Sequence, residues 1–185
     1  MGPTFSNAST AQQEQQNTTT SSPLPMIIDV NTAQQVEQWK ITNDGVMGGR
    51  SKGQLIFEKD HGVFTGNISL DNNGGFSSVF RNLDPLPSGY DLVTIDVQGD
   101  GQSYQLRLIV YLNGYRLAYK NDFDTKAGQR QKLLFTLSDF KASFRGRIIN
   151  NAPSLTSQNI KETGFLMTKK RPGKFNLAVF SIKFS

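Results

Sequence analysis

SYQLRLIVYLNG, residues 103–114, decides the fold class. Tyr104, Leu106, Leu108, Val110 and Leu112 alternate with Gln105, Arg107, Ile109 and Tyr111. That period of two suits a strand with one face in a core and does not suit a helix. The rhythm continues on both sides. LVTIDVQGDG (92–101) runs into this stretch, and RLAYKNDF (116–123), QKLLFTL (131–137), GFLMTKK (164–170) and FNLAVFSIKF (175–184) follow it. Upstream, GQLIFEKD (53–60) passes through the turn Asp60-His61-Gly62 to VFTGNISL (63–70), which reads as a hairpin. FSSVFRNL (76–83) follows the turn Asn72-Asn73-Gly74-Gly75. Nine or ten strands, spaced by roughly 8 to 15 residues, have the rhythm of an antiparallel sandwich.

Helical signals are few. NTAQQVEQW (31–39), with an Asn cap and good helix formers, predicts one short helix at the start of the domain, and SLTSQNIKE (154–162) predicts a single turn. No βαβ alternation is present, which argues against a parallel nucleotide-binding sheet. Strict alternation breaks in two places. Ile109 and Tyr111 are apolar on the outward parity. In the last strand Phe175, Leu177 and Val179 lie on one parity, and Phe180, Ile182 and Phe184 on the other. Either a β-bulge switches the phase or the outer face is covered by a loop or a partner; bulge and loop cover are the expectation.

The chain has 185 residues, room for one domain. Residues 1–25 are mostly Gln, Asn, Ser and Thr, with Glu14 as the single charge, too little apolar surface to offset chain entropy. They are expected to be a disordered tail or linker ahead of a β-sandwich domain at 26–185. The absence of cysteine excludes thiolate chemistry and zinc-thiolate sites. No run of apolar residues is long enough for a membrane span, and no signal peptide precedes the tail. The expected compartment is therefore the cytoplasm if the chain starts at Met1, and the periplasm if a signal peptide was removed ahead of it. From Phe140 onward nine basic residues (Lys141, Arg145, Arg147, Lys161, Lys169, Lys170, Arg171, Lys174 and Lys183) face one acid, Glu162. This basic quarter could meet an anionic surface, although a solvated lysine-rich surface accounts for it as well.

Catalytic constellations are weak. His61, the single histidine, sits in an expected solvated turn and has no second histidine for a metal site. Asp122 and Asp124 flank Phe123 and share a strand face, where solvated acids are the simpler reading. No metal or cofactor is expected. Phe140, Phe144 and Phe175 interleave with Lys141, Arg145 and Lys174, but a Phe among charges in a β protein usually belongs to the core, so nucleic acid is not the expected partner. NDGVMGGRSKG (43–53) satisfies neither a dinucleotide fingerprint nor a P-loop. The amides of Gly48 and Gly49 beside Arg50 could form an anion nest. The stronger reading is a tight corner, with glycines permitting unusual backbone and with Asn43 and Asp44 tying the loop.

Four segments in order carry a family resemblance: NDGVMGGRSKG, SLDNNGGFSSVFR (69–81), SDFKASFRGR (138–147) and ETGFLMTKKRPGKFNLAVFSIKF (162–184). Together they resemble the complex I intermediate-associated protein family, whose mitochondrial members are assembly factors for respiratory NADH:ubiquinone oxidoreductase. The resemblance implies an all-β fold, a galactose-binding-domain-like jelly-roll β-sandwich with one short N-terminal helix, shared with carbohydrate-binding modules. It places family positions at Asn43, Asp44, Val46, Met47, Gly48, Gly49 and Ser51, then at Gly74, Gly75, Phe76 and Ser78. Phe144, Arg145, Gly146, Gly164, Phe165, Gly173 and Phe175 complete them, and Arg107 matches another. One departure stands out: where family members carry an arginine after GGF-x-S-V, this chain has Phe80, and the arginine follows at Arg81 on the opposite face of a strand.

The implied function is a non-enzymatic, assembly-factor-like monomer that binds protein partners, including membrane-associated ones. The alternative is a carbohydrate or small-molecule module using Tyr111, Tyr115, Tyr119 and Arg107. An enzyme is the third reading, and it would require Asp44 to meet Asp122 or Asp124.

Overall fold

A computed structural model describes residues 2–3, 21–169 and 171–185. The tail expected at 1–25 falls largely outside the described residues. The first element is strand β1 (Met26–Asp29), followed by helix α1 (Ala33–Val36) and β2 (Lys40–Asn43). A 3₁₀ turn over Asp44–Met47 leads into the hairpin of β3 (Lys52–Glu58) and β4 (His61–Ile68). Then come β5 (Phe76–Asn82), β6 (Leu92–Gln98), β7 (Ser103–Leu112), β8 (Tyr115–Asp124), β9 (Arg130–Thr136), β10 (Lys141–Phe144) and β11 (Arg147–Ile148). Strands β12 (Glu162–Thr168) and β13 (Gly173–Phe184) close the chain.

Two antiparallel sheets face each other. The first runs β3-β4-β13-β6-β9, with β1 beside the second half of β13; the second runs β11-β10-β8-β7-β12-β5-β2. The all-β sandwich expected from the alternation is observed. Strands β1, β2, β10 and β11 come in addition to the nine quoted runs. Between the sheets lie Phe64, Tyr104, Leu106, Leu108, Phe165, Phe175 and Phe184, each almost fully buried. Phe64 and Phe175 meet edge to face at 4.9 Å, as the charge distribution of aromatic rings favours.

The N-terminal helix is shorter than expected and differently capped. Thr32, not Asn31, is the N-cap: its Oγ1 accepts from the Gln35 N–H at 3.2 Å, while Gln35 Oε1 accepts from the Asn31 N–H at 2.9 Å. This reciprocal pairing satisfies one amide donor that the first helical turn leaves free, at Gln35, and one just ahead of the cap, at Asn31. Burial of Val36 and Trp39 then fastens the turn to the core.

The parity switch in the last strand is a bulge at Phe180. Val179 pairs with Val97 and Ser181 with Asp96, so Phe180 is the extra residue. Phe175, Leu177 and Val179 enter the core before it, and Ile182 and Phe184 after it. Phe180 itself is covered on the outside by the Arg130 guanidinium, 3.6 Å from its ring centroid, and by His61 at 4.7 Å. This corrects the expected turn at Asp60-His61-Gly62. Glu58 pairs with His61, so Lys59 and Asp60 form the turn and His61 begins β4, half-covered rather than solvated. Outward Ile109 needs neither bulge nor loop: it is buried against Phe80 and Ala118 on the same outer face, and Arg116 lies over Phe80.

Candidate functional site

The glycine-rich stretch encloses a carboxylate. Asn43 ends β2, and the 3₁₀ turn Asp44–Met47 stops at Gly48, whose φ of 87° suits glycine. Asp44 is fully buried. Its Oδ1 accepts from the Ser51 N–H at 2.9 Å, and its Oδ2 accepts from the Ser51 hydroxyl at 2.5 Å, the Gly75 N–H at 2.6 Å and the Phe76 N–H at 3.3 Å. Burial works against the charge, but the bonds from Ser51, Gly75 and Phe76 outweigh it and hold the carboxyl below its ordinary range. A Cβ on Gly49 would lie 2.3 Å from Asp44 Cγ, and one on Gly74 would lie 2.5 Å from Oδ2, so the backbone must approach bare.

Neighbouring bonds extend this knot. Ser51 Oγ accepts from the Ser69 N–H at 2.9 Å, the Ser77 hydroxyl donates to Asn43 Oδ1 at 2.6 Å, and the Ser78 hydroxyl donates to the Thr42 carbonyl at 2.9 Å. The Asn72 side-chain amide donates to the Gly48 carbonyl at 2.9 Å. The anion-nest reading of the loop is overturned, because the Gly48 N–H bonds the Gly45 carbonyl and the Gly49 N–H the Asp44 carbonyl. The loop amides that do hold an anion hold the protein's own Asp44. This also removes the paired-carboxylate reading, since Asp44 is enclosed while Asp122 and Asp124 are exposed on the outer face of the second sheet.

The structure brings Asn43, Asp44, Met47, Gly48, Gly49, Ser51, Gly75, Phe76 and Ser78 together at one end of the sandwich. It does not bring Arg145 and Gly146 there. These two form the β10–β11 turn, with φ of 49° and 78°, a two-residue turn of the I′ kind at the end where Asn113 and Gly114 join β7 to β8. Phe80 points outward on β5, and Arg81 lies on the opposite parity, where its Nε donates to the Asn82 carbonyl at 3.2 Å. Burial lowers the pKa of Arg81, against the attraction of Asp84.

The basic quarter does not gather on one surface. Lys169, Arg171 and Lys174 stand at the knot end, where Lys52 and Lys174 flank Asn67 on one rung; Arg145, Arg147 and Lys161 stand at the far end; Lys183 lies on the outer face of the first sheet. Lys170 lies outside the described residues. Phe140 and Phe175 are core residues rather than stacking platforms.

The tyrosines expected to form one ligand face are divided. Tyr111 projects outward beside Arg116 and donates to Glu162 Oε2 at 2.7 Å. Tyr119 lies on the inward parity, buried, and donates to the Pro153 carbonyl at 2.5 Å. Tyr115 shares that inward parity but sits at the rim, exposed and edge-on to Phe144 at 5.7 Å. No common platform exists among them. Arg116 grips Glu162 through Nε at 3.2 Å and Nη2 at 3.1 Å. Burial raises the Glu162 pKa less than the bonds from Arg116 and Tyr111 lower it. Arg107, half-buried, donates from Nε and Nη2 to Gln105 Oε1 at 3.0 and 2.8 Å, and burial pushes its pKa down.

A semi-open cleft of about 460 Å³ lies beneath the β10–β11 edge, lined by Leu137, Phe140, Ala142, Ile149, Ala152 and Leu155, with Ser138, Lys141 and Asn150 among its polar groups. Alternation in the strands gave no sign of it, because residues 149–155 that wall it form no strand. Among the described residues no group of three or more His, Asp or Glu is placed to hold a metal, and no helix is long and apolar enough to cross a membrane.

A family model described as complex I intermediate-associated protein 30 matches residues 28–179. Comparison with curated proteins finds no match. Among solved structures, a family 11 carbohydrate-binding module from Clostridium thermocellum, in complex with a β-1,3-1,4-mixed-linked tetrasaccharide, aligns with a TM-score of 0.65 at 14% identity, covering 88% of this chain and 96% of that one. The family 11 module of the cellulosomal cellulase Lic26A-Cel5E from the same organism aligns at 0.59 and 13% identity, covering 89% and 95%. At these identities the likeness is one of fold, and it is the galactose-binding-like sandwich expected from the sequence.

Proposed function

The chain belongs to the complex I intermediate-associated protein 30 family, and from that premise we propose that it is a non-catalytic, monomeric binding protein. Its role is assembly-factor-like, at a respiratory or other membrane-associated complex, with residues 1–25 as a tether. The observation that carries this reading is the family match over nearly the whole described domain. The enclosed Asp44 supports it, because the most conspicuous sequence motif spends its chemistry on holding two loops together.

The test is made in the native cell. A tagged chain is purified under gentle detergent conditions, and membrane complexes from cells lacking the protein are resolved on native gels. Co-purification of a defined set of subunits, with accumulation of a smaller subassembly in its absence, is the expected result. Normal complexes together with no co-purified protein overturn the reading.

A second reading is favoured by the cleft at the β10–β11 edge, whose volume falls within the usual range for small-ligand sites. A ligand panel read by melting temperature tests it. A hit that raises the melting temperature of wild type but not of Ala152→Trp supports small-molecule binding there.

A further inference from the structure

The registers of the second sheet place one rung of side chains across six strands: Lys141 on β10, Lys120 on β8, Arg107 on β7, Gly164 on β12, Phe80 on β5 and Lys40 on β2. Adjacent strands lie about 4.8 Å apart, so the rung is about 24 Å long. Four of its six positions are cations, and all six face outward. Like charges directly opposite each other on neighbouring strands are destabilising, yet Lys141, Lys120 and Arg107 stand side by side. Among the described residues none of the four cations forms an ion pair. Arg116, two rungs away, is already committed to Glu162. The centre of the rung is low and smooth. Gly164 has no room for a side chain, since a Cβ would lie 2.1 Å from the Val79 carbonyl, and the Phe80 ring beside it is flattened under Arg116.

We infer that this outer face is the docking surface for an extended acidic segment of a partner protein, lying across the strands along the rung. The inference rests on the binding reading above. Charge complementarity selects the occupant. Lys141, Lys120 and Arg107 supply three adjacent cations for carboxylates, and Lys40 supplies a fourth beyond the flat centre. Gln105 holds one edge of the Arg107 guanidinium and leaves the other edge for a carboxylate. Asp122 and Glu162 also stand on this face, on the rungs to either side. A nucleic acid, charged at every residue, would meet both. A peptide can set its acids over the cations and neutral residues over these two carboxylates. Base stacking is also unsupported, because Phe80 is buried and Tyr111 is bonded to Glu162. At about 3.3 Å per residue, seven or eight extended residues cover the rung.

The test uses the full chain and a fluorescein-labelled 12-residue peptide of alternating glutamate and threonine, followed by anisotropy in low salt. The comparison probes are the same peptide with glutamine for glutamate and a 12-residue oligothymidylate. The variants are Lys120→Glu with Lys141→Glu, and Lys52→Glu with Lys174→Glu, which makes the same change in net charge at the knot end. Wild type is expected to bind the glutamate peptide over the glutamine one. The rung pair should weaken binding about tenfold or more, and the knot-end pair by less than about threefold. Equal weakening by the two pairs overturns the inference, as does tighter binding of oligothymidylate that the rung pair abolishes. Failure here is separable from failure of the assembly reading. Subunits that co-purify equally with wild type and the rung pair leave assembly standing and remove this face; peptide binding at the rung with no subunit recovered does the reverse.

Discussion

Replacing Asp44 by Asn tests the knot most directly, because the change is nearly isosteric and removes one negative charge and one acceptor. Four donors converge on the carboxylate. If the amide oxygen takes the Oδ2 position, the amide nitrogen faces the Ser51 N–H, donor against donor. If it takes the Oδ1 position, the nitrogen faces the Gly75 and Phe76 N–H groups. Either way at least one buried backbone donor is orphaned and the remaining bonds lose their charge assistance. A hydrogen bond to a charged group contributes about 1.5–3 kcal/mol, and an orphaned buried donor costs about 1–3 kcal/mol, so the expected loss is about 3 kcal/mol. For a domain of this size that corresponds to a fall of about 6–12 °C in Tm. The pH dependence carries the sign. The folded carboxyl titrates below its ordinary range, so the folded state binds fewer protons in acid than the unfolded chain. The stabilisation is complete above the unfolded pKa of about 3.9 and is lost as pH falls through the lower folded value. The gap between wild type and D44N should therefore narrow on acidification. Differential scanning calorimetry between pH 7 and pH 3 reads both effects. A D44N protein melting within about 2 °C of wild type at pH 7 would refute the account of the knot.

Other expectations are smaller. Thr163 is fully buried and, among the described residues, its hydroxyl has no hydrogen-bond partner, so Thr163→Val should stabilise by about 1 kcal/mol in urea denaturation; destabilisation by that amount would show that the hydroxyl is satisfied. Gly164→Ala forces a Cβ to 2.1 Å from a backbone carbonyl, whereas one at Gly45 meets nothing within 4 Å. The first should cost about 3 kcal/mol and the second under about 1, and comparable losses would contradict the packing of β12 on β5. Arg145 sits at φ 49° in a turn that favours asparagine, so Arg145→Asn should stabilise by about 0.5–1 kcal/mol. Unchanged or lower stability would show that the Arg145 guanidinium, 5.2 Å from the Phe144 ring centroid, contributes as much as the turn strain costs.

Alternation exposes the sandwich because each strand must bury one face, and the two-parity run of β13 even marked its bulge. Short strands were harder to see. Lys40–Asn43 and Lys141–Phe144 have only four residues each, too few for a period to emerge, and their place comes from partners far away in sequence. The glycine motif was legible as a tight corner, but its occupant was not, since Gly75 and Phe76 are more than thirty residues from Asp44. The tyrosine face failed for a definite reason: Tyr111 and Tyr119 are even-spaced along the chain, but the turn between β7 and β8 reverses their parity. The cationic rung is invisible in one dimension because its members come from six strands.

The bulge at Phe180 lets one strand complete a sheet whose pieces are made far apart in time. β13 pairs with β4 along its first half, with β1 along its second, and with β6 on its other side. Until residues 173–184 have left the ribosome, these three earlier strands have open hydrogen-bonding edges and the first sheet has no centre. The first sheet is therefore completed only once these residues are available, through contacts between strands far apart in sequence, which is a slow route. Until β13 pairs with them, those edges are open templates for association with other chains.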